Sequence, residues 1–150
     1  MAQSTLSIDR TSWHRLRLLI VVTLILLTVQ GWFGDTVNLF AVPSNPVTVD
    51  QSANGALQAV VNVGPTLIIH AFVGTAILAF AVAVLAFSLK SKPRSIQISA
   101  ILGLVMVVSA IIGGTLFVLS GFSNNGVSAQ MGGSFIGAYA FYFIELYYAK

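Results

Sequence analysis

The stretch Thr66–Leu89, TLIIHAFVGTAILAFAVAVLAFSL, runs directly into Lys90-Ser91-Lys92-Pro93-Arg94. It carries a single ionisable side chain, His70. As a helix rising 1.5 Å per residue it is about 36 Å long, enough for the roughly 30 Å hydrocarbon core of a bilayer. The three cations behind it hold that end at a membrane surface, and the bias of Lys and Arg toward cytoplasmic loops places that surface inside the cell.

Composition agrees with a membrane chain. Of 150 residues, 57% are hydrophobic and 7% charged, whereas a soluble domain carries about 25% charged residues. The net charge of +3 and the pI near 9.6 would point to nucleic acid in a soluble protein. Here the cations sit in short clusters beside apolar runs and act as orientation signals, so no nucleic-acid partner is expected. Cysteine is absent, which excludes disulfides, thiolate metal sites, iron–sulfur clusters and a thiol nucleophile.

Toward the N-terminus, Met1 to His14 is a short polar lead. Arg15 and Arg17 then abut the apolar run from Leu18 to Leu27. A basic start before an apolar core resembles a secretory signal, but no small-x-small cleavage site follows at Gln30-Gly31-Trp32-Phe33, so an uncleaved first helix over about 13–40 is predicted. On that helix Gln30, Gly34 and Asn38 share a face at four-residue spacing, with Gly31 and Asp35 beside them. Pro43-Ser44-Asn45-Pro46 ends it. The outer loop, 41–65, contains Asp50 and no Lys or Arg. Within it, Ala56 to Val63 reads equally as a short interfacial helix or as a strand-like cap.

Further helices are predicted over about 66–89, 96–120 and 128–148. In the third long helix Ala100, Gly103, Val107, Ala110, Gly114 and Phe117 recur at steps of three and four, a mostly small stripe suited to close helix approach. The last helix carries Gly133 and Gly137 in GxxxG spacing, with tyrosines toward its end as an interfacial belt. Helix packing is therefore assigned to Gly103, Gly114, Gly133 and Gly137. All seven cations, Arg10, Arg15, Arg17, Lys90, Lys92, Arg94 and Lys150, fall at one side. The expected fold class is an all-α integral membrane protein: a single-domain, four-helix transmembrane bundle, multi-pass in the cell membrane, with both termini cytoplasmic.

The polar groups inside the spans are the candidates for function. Asp35 and His70 lie at similar depths below the outer surface, and Gln30, Asn38 and Ser134 come near that level, giving an outward-opening polar pocket. His70 has three readings. It pins two helices through Asp35 or a carbonyl, or it is a ligand of a metal or of haem b, or it serves proton relay or transport with Asp35. In the haem reading Gly74 leaves room one turn below, the second axial ligand is Met131 or the His70 of another copy, or the site is five-coordinate, and Asp35 orients the ring through its second nitrogen. The only other histidine, His14, belongs to the opposite surface. Glu145, near the cytoplasmic end, is expected to snorkel to Arg17, Arg94 or Lys150. No hydrolytic arrangement of nucleophile, base and acid is present, so no catalytic residue is assigned.

The runs Val29-Gln30-Gly31-Trp32-Phe33-Gly34-Asp35-Thr36-Val37-Asn38-Leu39-Phe40, His70 with Gly74, Gly113-Gly114-Thr115-Leu116-Phe117 and Ser128-Ala129-Gln130-Met131-Gly132 resemble small four-helix integral membrane proteins of prokaryotes that have no assigned activity. The layout with an outward histidine is also similar to half of a haem A synthase or to a small cytochrome b. That resemblance implies an architecture. With few polar groups and bare small-residue faces, the expected role is a small accessory or structural subunit of a larger prokaryotic membrane complex, of respiratory or oxidase type. Its expected partners are lipid and either other membrane subunits or its own copies, and no catalysis of its own is expected. The alternative is a haem-binding electron-transfer protein with His70 as ligand. A small transporter comes third, since no polar path joins the two surfaces.

Overall fold

The computed structural model describes residues 10–37, 48–91 and 93–149. Their regular structure is helical, with no strand among the described residues: α1 (Arg10–Thr36), α2 (Ala53–Val63), α3 (Pro65–Ser88), α4 (Arg94–Leu119) and α5 (Asn125–Tyr148). Three of them, α1 from Ser12, α3 and α4, are long and apolar enough to cross a membrane. The fourth long helix, α5, has 24 residues but is not among these three, and it carries Gln130, Ser134 and Glu145 along its length.

Local chemistry sets the helix boundaries. Gly64 takes φ +112° and Pro65 opens α3, so one residue that tolerates a left-handed φ and one that lacks an N–H turn the chain between α2 and α3. Asn124 accepts a hydrogen bond from the Val127 N–H at 3.2 Å and caps α5. At the other end of the molecule, the basic turn is held by Gln97 Nε2 donating to the Ser91 carbonyl at 2.7 Å.

α1 packs against α3 and α5, and α4 packs against the same two, most extensively against α5. The core between them is made at steps of three and four: Leu16, Ile20, Leu24 and Leu27 from α1, Ile77, Ala81 and Val84 from α3, Ile96, Ala100 and Val107 from α4, and Ala138 and Tyr142 from α5. The outside is equally apolar, with Leu18, Ile25, Phe72, Val82, Ile98, Val105 and Ile112 exposed. Helices that are hydrophobic all round are compatible with a membrane span.

The first helix is described to Thr36. Its expected continuation, including Asn38, Leu39 and Phe40, lies outside the described residues. Between the two readings of Ala56–Val63 the helix is the one formed. Ser52 caps α2 by accepting from the Gly55 N–H at 3.1 Å, and Gly55 has no room for a Cβ beside the Asp50 carbonyl. α2 lies across the ends of α3 and α4, with Ala56, Ala59, Val60 and Val63 resting on Leu67, Phe117, Val118 and Phe122. Gln51 Nε2, donating to the Leu119 carbonyl at 2.9 Å, fastens the segment there.

Among the glycines assigned to packing, Gly103 lies under the ring of Tyr142, where a Cβ would stand 2.8 Å from Cζ. Gly114 is covered by Met131 and Gly137 by Met106, at 3.3 and 3.0 Å from the respective sulfurs. Gly133 differs from this expectation. No atom lies within 4 Å of its Cβ position, because the α4-facing side of α5 passes through Ser134, Gly137 and Ala138 and leaves Gly133 outward.

Candidate functional site

The end of the bundle capped by α2 brings Gln30 of α1 to His70 of α3. Gln30 Nε2 lies 3.2 Å from His70 Nε2. With the amide in that orientation the glutamine donates to an unprotonated Nε2, which places the ring proton on Nδ1. Each side chain stands over a glycine of the other helix. A Cβ on Gly34 would meet His70 Cε1 at 3.2 Å, and one on Gly74 would meet Gln30 Nε2 at the same distance. Gln30 with Gly34, and His70 with Gly74, are pairs four residues apart on one helical face. In antiparallel helices the polar member of each pair meets the small member of the other. Gln30 Oε1 and His70 Nδ1 are buried without a hydrogen-bond partner.

Asp35 does not make the contact expected of it. It is exposed and forms no hydrogen bond among the described residues. At 100° per residue it points well away from the Gln30–Gly34 face, so the ring is held by an amide instead of a carboxylate. The pairing was readable in the shared Gln30–Gly34 face and the matching His70–Gly74 spacing, but an acid beside a histidine drew the assignment away.

Ser134 belongs to a different helix pair. Its hydroxyl lies 2.9 Å from that of Ser109 on α4, and Gln130 Nε2 donates to the Ser109 hydroxyl at 3.0 Å. Phe135 packs over Gly31, with ring Cζ 2.9 Å from a Cβ placed there. An aromatic ring thus fills the α1–α5 contact next to the Gln30 level. Of the expected pocket residues, Gln30 and His70 form a clasp joining α1 to α3, Ser134 belongs to one joining α4 to α5, and Asp35 to neither; Asn38 lies outside the described residues.

Met131 also turns toward α4, its Cβ 3.2 Å from a Cβ on Gly113 and its sulfur 3.3 Å from one on Gly114. His70 and Met131 do not converge, and His70 Nε2 is already engaged by Gln30. A haem held between these two side chains of one chain does not fit. Among the described residues no three His, Cys, Asp or Glu side chains are grouped to hold a metal ion.

Glu145 lies at the other, basic end and does not snorkel. It is 0% exposed, and its Oε1 lies 2.5 Å from Ser88 Oγ on α3. A glutamate three residues from a helix end reads as a surface group, and nothing in the local sequence marks a serine 57 residues away as its partner. Lys150 lies outside the described residues.

No protein-family profile, curated protein sequence or solved structure matches the chain.

Proposed function

We propose that this chain is a small accessory subunit of a larger membrane complex: a four-helix transmembrane bundle of α1, α3, α4 and α5 with both termini cytoplasmic, whose α5 docks another membrane helix. The outward face of α5 carries this reading. Ala129, Gly133, Ile136, Ala140 and Phe143 follow at steps of four and three, and all are exposed. Gly132 and Gly133 have open space at their Cβ positions. Lipid tails gain nothing from a glycine, whereas a neighbouring helix gains the close approach that glycine permits. α5 is also the one long helix that is not apolar enough by composition to count as a candidate span. Its Ser134, Tyr142 and Glu145 are turned inward, which supports its counting as a span. A respiratory or oxidase-type assembly is the first host to seek, on the resemblance in layout to half of a haem A synthase noted from the sequence.

Mild-detergent solubilisation followed by native electrophoresis tests the role. The tagged chain should migrate well above its own 15.9 kDa together with other membrane subunits. Gly133→Leu should release it as a free chain with unchanged helix content. A parent chain that runs alone, with its fold intact, overturns the proposal.

A further inference from the structure

Glu145 is the sole glutamate of the chain, and its surroundings settle which atom carries the hydrogen at the Ser88 contact. Ser88 Oγ is 2.8 Å from the Val84 carbonyl as well as 2.5 Å from Glu145 Oε1. A serine hydroxyl has one hydrogen and two lone pairs. Two acceptors at bonding distance therefore exceed what it can donate, unless one of them is itself a donor. The Val84 carbonyl cannot be, but a carboxylic acid can. Both contacts are satisfied when Glu145 Oε1–H donates to Ser88 Oγ and Ser88 Oγ–H donates to Val84.

The ionised alternative fares badly on the same geometry. Glu145 Oε2 is buried with no hydrogen-bond partner, so a carboxylate would have a half-share of one hydrogen bond and a bare oxygen. No cation whose side chain is described compensates. His14, Arg15 and Arg17 on α1, Lys90 after α3 and Arg94 on α4 are all exposed, and none is in ion-pair contact with it. A bare buried charge is the costliest arrangement a protein interior can hold, while a neutral acid with one hydrogen bond is tolerated. Tyr142, one turn away on the same face of α5, adds a second buried and unpartnered oxygen, its hydroxyl.

We infer that Glu145, with Ser88 and Tyr142, is a proton-binding site that latches the basic ends of α3 and α5. With the proton bound, the acid bridges the two helices through Ser88. On release the Oε1–H bond breaks, the proton passes to water at the basic surface, and the remaining carboxylate must reach water or an exposed arginine. The α3–α5 contact therefore opens as the proton leaves and closes as it returns. This inference is independent of the docking role of α5, whose face is on the other side of that helix.

Because Glu145 is the only glutamate, glutamate labelled with 13C at the side-chain carboxyl reports it in the unaltered full-length chain. In phospholipid nanodiscs at neutral pH, isotope-edited infrared spectra should show the label shifting the C=O stretch of a carboxylic acid. Ser88→Ala should move that band to higher frequency without abolishing it. Raising the pH until the acid band disappears should increase amide hydrogen exchange at the basic ends of α3 and α5, and Glu145→Gln should keep exchange low throughout. If the label shifts the paired stretches of a carboxylate at neutral pH, the proton site is overturned. If the carboxylate forms without faster exchange, the latch is overturned.

Discussion

Gln30 and His70 each stand over the glycine one turn from the other, so that a single 3.2 Å contact between their terminal nitrogens closes a reciprocal lock between α1 and α3. The lock combines a polar contact with two close backbone approaches, and the two contributions separate by mutation. Gln30→Ala and His70→Ala should each destabilise the bundle, and the double variant should lose less than their sum. The coupling should be about 0.6 kcal/mol and no more than about 1.7 kcal/mol, the range found for hydrogen bonds between membrane helices. Reversible unfolding in mixed micelles measures it. Strict additivity would mean that the two side chains do not bond.

The glycines of the same lock should be less forgiving. Gly34→Leu and Gly74→Leu insert bulk where even a Cβ would sit at 3.2 Å from the opposing side chain, and each should cost roughly 1–3 kcal/mol as overpacking. The readout is the same unfolding assay. Trimming His70 to alanine should recover part of the loss in Gly34→Leu and none in a variant of Gly103.

Gly103 and Gly133 should behave oppositely. Gly103→Ala forces a methyl against the Tyr142 ring and should lower stability by roughly 1–3 kcal/mol, partly restored by Tyr142→Leu. Gly133→Leu points into open space and should leave the isolated chain as stable as the parent. Thermal melts of the purified variants distinguish the two, and a destabilised Gly133→Leu chain would put that glycine inside the bundle.

Orientation is checked with single cysteines in a chain that has none. Ser91 is 4% exposed and would report burial instead of sidedness, so exposed Lys90 is the better probe of the basic turn, with exposed Ser123 for the opposite one. An impermeant maleimide added to intact cells should label Ser123→Cys and not Lys90→Cys. The reverse pattern would place the termini outside.

The visible spectrum of the purified chain bears on the haem reading. Since Gln30 occupies His70 Nε2 and Met131 lies on the α4 glycines, His70→Ala should leave the spectrum of the purified chain unchanged. Loss of a Soret band in that variant would show that the lock opens to admit a macrocycle.

The three candidate spans were legible because their signal is length and hydropathy, which need no knowledge of neighbours. Polar partners were harder to read. Asp35 and His70 share a depth, yet depth is only one coordinate; the azimuth that gave His70 to Gln30 depends on which face α1 turns to α3. Glu145 failed for a related reason: its partner Ser88 comes from a helix adjacent only after assembly, and the nearby arginines offered a simpler local answer. Gly133 and Gly137 share a motif but not a direction, since four residues advance 400° and the second glycine faces 40° further round the helix. The turn of α2 at Gly64 was hidden because a left-handed glycine and an ordinary loop glycine look alike in sequence.

The cap formed by α2 also constrains the order in which the molecule is built. Its seat is made of Leu67 together with Phe117, Val118 and Phe122, and the last three are synthesised about fifty residues after Val63. A newly made α2 therefore has only the earlier part of its seat, Val37 and Leu67, to rest on. With Leu57 and Val61 on its exposed side and Ala56, Ala59 and Val60 on the other, it can wait at the bilayer surface as an interfacial helix. Its seat is complete only when Phe117, Val118 and Phe122 have been made, so full closure of that end follows synthesis of α4.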